Sequence, residues 1–278
     1  MPGLRPVGIA GVGRMGRPML QALREAGFDA RGLDIRPPAE FGKLAPFVTT
    51  NPEEFSGGLE TLITVVRDAA QTDDVLFGSH NLVERAPLNW IIISSTRSPR
   101  YTRDLRDRIP RHIRLVDAPM SGAQIAAERK QLSFMLGGSI GDLDHLHPLF
   151  TAMGRHFHRM GPFGAGMAAK VLNNLLAASN TALTRMVLDW GDAAGLDETA
   201  LLDLIATSSG QNWLASGFGD IEFARHGYAT DNSIGSRSGG FVSPELASHI
   251  VTPASLLDSS ADHDVEDRCL YPEGHPVG

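Results

Sequence analysis

A chain of 278 residues has room for one large or two medium domains, and 42% hydrophobic residues can fill a sizeable core. The formal charge of -7 leaves no basic face broad enough to neutralise many phosphates, which argues against a nucleic-acid binder. A single cysteine, Cys269, excludes an internal disulfide and fits a reducing compartment, and no apolar run approaches the ~18 residues that a membrane-spanning helix needs. The first six residues lead straight into a strand-like segment and leave no room for a signal peptide, so the expectation is a cytoplasmic protein with no membrane partner.

Val7-Gly-Ile-Ala10 reads as a short strand, and Gly11-Val12-Gly13-Arg14-Met15-Gly16 follows at once. From Pro18, residues Met19, Leu20, Leu23 and Ala26 recur at helical spacing, with Gly27 as the stop. Residues 29–34 suit a second strand that ends on an acid, Asp34. Residues 62–66 and 90–94 are continuous β-branched runs, as expected of parallel strands covered on both faces. Residues 73–77 and 100–109 fit crossover helices. The alternation predicts an α/β fold: a doubly wound, Rossmann-type parallel sheet over residues 1–162, followed by an all-α domain over 163–234.

Gly-x-Gly-x-x-Gly alone is weak evidence, but here a strand precedes it, a helix follows, and Asp34 stands 18 residues beyond Gly16. Such a loop uses Gly11 for the tight turn, Gly13 for close approach to a pyrophosphate and Gly16 for packing of helix on strand. The helix N-terminus offers unpaired N–H groups and a positive dipole end to the phosphates. Asp34 is placed to accept from an adenosine ribose and to repel a 2′-phosphate, which favours NAD. Arg36, two positions on past Ile35, is a counter-hint that leaves NADP open.

Lys170 is one of three lysines in a chain that otherwise uses arginine for positive charge. It lies in the alanine-rich run Gly164-Ala-Gly166-Met-Ala-Ala-Lys170-Val-Leu-Asn-Asn174. An ammonium can give up its proton once burial lowers its pKa, whereas a guanidinium cannot. Asn174, four residues on, shares its helix face. The bland reading is a lysine whose stem snorkels along an apolar surface.

Together these motifs resemble the β-hydroxyacid dehydrogenase family, which includes 3-hydroxyisobutyrate dehydrogenase, tartronate semialdehyde reductase and 6-phosphogluconate dehydrogenase. The Gly11–Gly16 loop is similar to that family's cofactor loop, and Ser94-Ser95-Thr96-Arg97-Ser98-Pro99 resembles the segment beside the nicotinamide. Asp117-Ala-Pro-Met-Ser121-Gly122-Ala123 resembles the substrate-binding signature, and the Gly164 to Asn174 run resembles the catalytic helix. The match spans about residues 5 to 234. The resemblance implies that Ser121 and the backbone around Gly122 and Ala123 hold a substrate carboxylate. It implies that Lys170 is the general acid/base and that Asn174 orients the substrate or the lysine. It also implies a homodimer or homotetramer. Ala123 departs from the family, which usually has a second glycine there.

The chemistry agrees with that assignment. Oxidising an alcohol sends a hydride to a nicotinamide, and a side chain must take the proton, a service typically worth ~10²–10⁴-fold. No metal is needed. The long helix from about 166 to 194 is apolar on more than one stripe and is expected to be buried on several faces, with Gly195 as its stop and Asp197 capping the next helix. Residues 235–278 carry no lysine and no sustained helical period, and lack the family's usual ending. The expectation is a replaced or frame-shifted tail that is disordered, with a divergent but folded ending as the alternative.

His145, His147, His156 and His158 lack a completing acid or cysteine cluster and read as surface histidines. Ser121 lacks the Gly-x-Ser-x-Gly setting of a hydrolase nucleophile. The charges from Arg100 to Arg114 read as a solvated helix face, and residues 208–213 carry no assigned role. Two rival readings stand beside the dehydrogenase: an imine or other carbonyl reductase on the same scaffold, and a catalytically inactive dinucleotide-binding module. Lys170 weighs against the first, since imine-reducing relatives generally carry other residues there.

Overall fold

The computed structural model describes residues 6–216; the atypical tail, the end of the expected all-α domain and Cys269 lie outside the described residues. In chain order the elements begin β1 (Val7–Ala10), α1 (Gly16–Glu25), β2 (Ala30–Leu33), a 3₁₀ segment (Pro38–Phe47), β3 (Val48–Thr49), α2 (Pro52–Ser56) and β4 (Thr61–Thr64). They continue with α3 (Ala69–Leu76), α4 (Leu82–Arg85), β5 (Trp90–Ile93), α5 (Pro99–Arg108), β6 (Arg114–Asp117), β7 (Met120–Ser121), α6 (Ala123–Glu128) and β8 (Leu132–Gly137). Last come α7 (Ile140–Met153), β9 (Gly154–Gly161), α8 (Ala165–Ala193), α9 (Glu198–Thr207) and α10 (Trp213–Ser216).

The strands form one sheet in the order β3-β2-β1-β4-β5-β6-β8-β7, with β9 paired to β8. The run from β3 to β6 is parallel throughout, the doubly wound arrangement that the alternation predicts. Beyond β6 the direction changes: β8 runs antiparallel to β6 and β7, and parallel to β9. The connection from β6 to β8 is short and contains β7, so there is no crossover helix of the length a parallel return needs. The strand order reverses between β1 and β4, and ligands of such sheets bind in the crevice at the carboxyl ends there.

Both faces of the sheet are sealed, so β1 and β4 are buried at every position, the two threonines of β4 included, and β5 at all but Trp90. Ile9, Leu20, Leu23, Ile63 and Ile92 belong to the core on the α1 and α7 side, and Leu62, Leu76, Ile91, Ile93 and Leu105 to the core on the α3 and α5 side. Helix α3 starts earlier than the apolar spacing suggests, because the Asp68 side chain caps it by accepting the Gln71 N–H.

Helix α8 runs for 29 residues and ends at Gly195, whose φ of +73° turns the chain into α9. Asp197 caps α9 through the Ala200 N–H at 2.9 Å. Among the described residues α8 is buried on one side only, and the further faces expected to be covered by another domain or subunit are open. Met167, Lys170, Val171, Thr181, Thr184 and Leu188 are buried, but Leu172, Leu176, Leu183 and Trp190 stand exposed. The covered side of α8 faces the sheet, α5, α9 and α10, and the exposed stripes point away from them.

Candidate active site

The Gly11–Gly16 loop lies at the carboxyl end of β1, beside the β4 exit. Gly11 has φ +94°, and a Cβ there would sit 2.5 Å from the Val65 carbonyl oxygen. A Cβ on Gly16 would sit 1.9 Å from the Gly11 carbonyl oxygen, so α1 can start this close to the turn only with glycine. Gly13 differs: a Cβ on it would meet nothing within 4 Å. Two glycines of the motif are therefore demanded by the protein's own packing, and the third borders open space. No side chain caps α1, and its first turn carries no acid, leaving the positive end of its dipole to a ligand. These features fit the pyrophosphate of a dinucleotide.

Asp34, just past β2, is tied back to this loop. Its Oδ2 accepts the Val12 N–H at 2.8 Å, and its Oδ1 accepts the Arg36 N–H at 3.1 Å and Nε–H at 3.0 Å. The Arg36 guanidinium also donates to the Val12 carbonyl at 2.8 Å and lies 4.8 Å from the centre of the Phe41 ring. Burial works to raise the Asp34 pKa, but the bonds from Arg36 and Val12 outweigh it and hold the carboxyl below its usual range. Ile35, between them, is exposed. Arg14 is exposed and reaches Gln124 on α6 at 3.4 Å, which links the glycine loop to the segment that begins at Gly122 and Ala123. Met15 is the N-cap residue of α1 and packs against the core.

The β5–α5 turn carries Thr96, which is half-buried, and Arg97, which is buried at 3% exposure. The Arg97 guanidinium donates to three carbonyls, those of Val66, Arg67 and Thr96, and to the Thr72 hydroxyl. Its backbone N–H points to the Met167 sulfur at 3.1 Å. On the next strand, Asp117 is fully buried. Its Oδ1 accepts the Gly164 N–H at 2.7 Å and its Oδ2 accepts the Met167 N–H at 2.5 Å. Burial pushes this carboxyl up to about 6, against the lowering effect of those two N–H groups. Gly166 lets α8 lie directly on β8, because a Cβ there would come within 2.3 Å of the Met135 carbonyl oxygen.

Lys170 follows one turn after Met167. It is 9% exposed, and burial lowers its ammonium to about 8. Among the described residues no ion pair or hydrogen bond holds it. Asn174, a turn further, is half-buried. Ser121 ends β7 and is half-buried, and Gly122, with φ +128°, opens α6 at Ala123. Residues 208–213 lie against α8 beyond Asn174: Asn212 receives the Thr184 hydroxyl at 3.2 Å and caps α10.

The structure thus gathers Gly11, Val12, Gly13, Asp34 and Arg36 into one cluster, and fastens the turn of Thr96 and the strand end before Ser121 to the helix of Lys170. Sequence reasoning gave no role to Asp117 or Arg97. The available signal was an acid ending an apolar strand, and an arginine set between small hydroxyl residues. His145, His147, His156 and His158 are exposed, and no group of three or more His, Cys, Asp or Glu side chains among the described residues could hold a metal. No helix among them is long and apolar enough to cross a membrane.

Residues 6–161 match the family model for the NAD binding domain of 6-phosphogluconate dehydrogenase, and residues 164–228 match that for the NAD-binding domain of NADP-dependent 3-hydroxyisobutyrate dehydrogenase. Mitochondrial 3-hydroxyisobutyrate dehydrogenase of Mus musculus is 28% identical over 240 residues, covering 85% of this chain and 71% of the relative. NAD-dependent L-serine dehydrogenase of Pseudomonas aeruginosa is 30% identical over 214 residues, covering 76% and 72%. The crystal structure of 3-hydroxyisobutyrate dehydrogenase from Salmonella typhimurium superposes with a TM-score of 0.67 at 25% identity, covering 76% of this chain and 75% of that one. With the glycine loop, the parallel sheet and the long helix that bears a buried lysine, these matches place the chain in the β-hydroxyacid dehydrogenase family, as an NAD(P)-dependent oxidoreductase.

Proposed function

We propose that Lys170 moves the proton while a hydride passes between a nicotinamide and the β-carbon of a small hydroxyacid. The observation that carries this reading is a buried ammonium, lowered to about 8 by desolvation alone, on a helix whose first turn is bonded to the end of β6. In the oxidising direction neutral Lys170 accepts the hydroxyl proton; in the reducing direction its ammonium returns one to the carbonyl oxygen. The bound cofactor supplies the hydride acceptor or donor. The Ser121 hydroxyl, with backbone N–H groups at Gly122 and Ala123, anchors the substrate carboxylate, and Asn174 orients the substrate against Lys170. The relatives named for 3-hydroxyisobutyrate and L-serine suggest the substrate class, since both acids carry a hydroxyl on the carbon β to a carboxylate.

The Gly11–Gly16 loop would receive the pyrophosphate, with Thr96 beside the nicotinamide. NAD is the preferred cofactor on this reading, because the Asp34 carboxylate stands where a 2′-phosphate would arrive. A division at 162/163 into a dinucleotide-binding part and a helical part is supported by family matches that stop at 161 and resume at 164. A homodimer or homotetramer is supported by Leu172, Leu176 and Leu183, which stand 59%, 65% and 45% exposed along α8. The single cysteine suits a cytoplasmic setting.

The deciding experiment is a panel of short β-hydroxyacids with NAD or NADP, followed at the absorbance of the reduced cofactor, in wild type and Lys170→Ala. Turnover lost in the variant with cofactor affinity retained supports the assignment. Equal turnover in both would end it.

A further inference from the structure

We propose that Arg97 is a cofactor-positioning residue: its side chain fixes the β4–α3 and β5–α5 turns as one rigid wall of the dinucleotide crevice. The proposal rests on the reading that this crevice holds the cofactor.

The geometry is specific. The β4–α3 turn forms the side of the crevice against which the glycine loop is pressed, since the Val65 carbonyl lies 2.5 Å from where a Gly11 Cβ would be. The next two carbonyls of that turn, of Val66 and Arg67, accept from Arg97 at 2.9 and 3.0 Å. The same guanidinium holds the Thr96 carbonyl of its own turn at 2.5 Å, and its Nε–H reaches the Thr72 hydroxyl on α3 at 3.0 Å. One side chain therefore bridges the two turns that follow β4 and β5, next to the switch between β1 and β4. A planar guanidinium with five donors in a fixed fork suits a task that an ammonium or an amide cannot fully perform.

Its electrostatic setting is as unusual as its geometry. Arg97 is 3% exposed, and among the described residues it forms no ion pair with a carboxylate. Removing a cation from water without a directly paired carboxylate is costly, even where carbonyl oxygens solvate it and the Asp68 charge offsets part of the cost. An apolar side chain of similar length would fill this space at lower cost if packing were all that mattered. The charge, offset only in part by Asp68 and paired with no carboxylate, favours an anionic ligand on the open side of the wall, and because it is buried it is little screened by salt.

The Arg97 backbone N–H meets the Met167 sulfur, so a change of side chain leaves that tie to α8 in place. The effect of substitution is therefore expected in cofactor binding more than in the chemical step.

The test compares wild type with Arg97→Met, Arg97→Gln and Arg97→Lys in the full chain. The readouts are the dissociation constant for the reduced cofactor by fluorescence titration and the split between cofactor KM and kcat. Leu146→Ala, on the buried face of α7, is the control for destabilisation without a change in the crevice. The expected result is a rise of about tenfold or more in cofactor Kd and KM for Arg97→Met, with kcat at saturation changed far less. Arg97→Lys should recover part of the loss by restoring charge. Leu146→Ala should lower Tm and leave Kd unchanged. If Arg97→Met does not fold, Arg97→Gln decides by the same measure. A folded neutral variant with wild-type Kd would overturn the proposal while leaving the dehydrogenase reading intact. A wild-type protein that binds neither NADH nor NADPH would overturn both.

Discussion

The carboxylate of Asp117 holds the Met167 N–H at 2.5 Å and the Gly164 N–H at 2.7 Å, so the end of strand β6 is the cap of helix α8. No side chain from within α8's own sequence does this work, and its N-cap, Gly164, has none to offer. Truncation to alanine would strand two buried donors and open a gap against β8. Asp117→Ala should lose roughly 2–5 kcal/mol of stability in chemical denaturation. Asp117→Asn keeps one acceptor oxygen and should lose less. Equal losses in the two variants would show that the hydrogen bonds to α8 are not what matters.

The same group makes stability depend on pH. Its folded-state value of about 6 lies above the usual 3.8, so between those values the folded chain keeps a proton that the unfolded chain has released. The Asp117 contribution therefore falls as pH rises through that window. In Asp117→Asn this slope between pH 4 and 6 should flatten, as read from denaturation midpoints at a series of pH values.

Lys170 titrates in the opposite sense. Below about pH 8 the ammonium is charged in both states, and its burial costs stability in full. From there to 10.5 the folded chain gives up the proton first, so stability rises with pH. Lys170→Met should therefore raise stability at neutral pH by up to about 3 kcal/mol while abolishing turnover. For the wild type, kcat/KM for oxidation should climb to a plateau above about pH 8, and kcat/KM for reduction should decline through the same point. Limbs that do not meet near that value would count against Lys170 as the proton carrier.

Gly13 and Gly16 separate ligand demand from packing demand. A methyl group on Gly13 meets no protein atom, so Gly13→Ala should fold with a near-normal Tm and bind cofactor at least ~10-fold more weakly. Gly16→Ala would press the methyl onto the Gly11 carbonyl and should give little soluble protein. Comparing yield, Tm and cofactor titration for the two variants checks this.

The Asp34 carboxylate already accepts from Val12 and Arg36, so a ribose hydroxyl must compete with Arg36 for it. Arg36→Ala frees those oxygens and leaves the negative charge uncovered. The ratio of kcat/KM with NAD to that with NADP should rise by roughly tenfold or more, which is ~1.4 kcal/mol of discrimination. A ratio that falls would mean that Arg36 serves NAD.

Much of this was legible in the chain itself. Four strands of the parallel run were legible, β1, β4 and β5 from short apolar or β-branched runs and β2 from an acid at its end, and the glycine loop from its place between strand and helix; β3, of two residues, and β6, which opens on Arg114, were not. The limits of α8 and the Asp197 cap followed from glycine and short polar side chains. The turn-back of β7 and β8 was not legible, because pairing direction depends on connection length and on which edge is free. Nor were the roles of Asp117 and Arg97. Their partners are backbone groups 47, 50 and about 30 residues away in sequence, and backbone groups leave no mark on the side-chain pattern. The exposed stripes of α8 show the same gap: apolar spacing tells which faces want cover, and not what covers them.

The tether from β6 to α8 has a consequence for how the chain acquires its shape. Some fifty residues separate Asp117 from Met167, and β8, α7 and β9 must be laid down in between. Contacts of such long range form late, after local helices and hairpins have collapsed. A nascent chain emerging from the ribosome would complete the glycine loop and the parallel run β1 to β6 before Lys170 is brought against the end of β6.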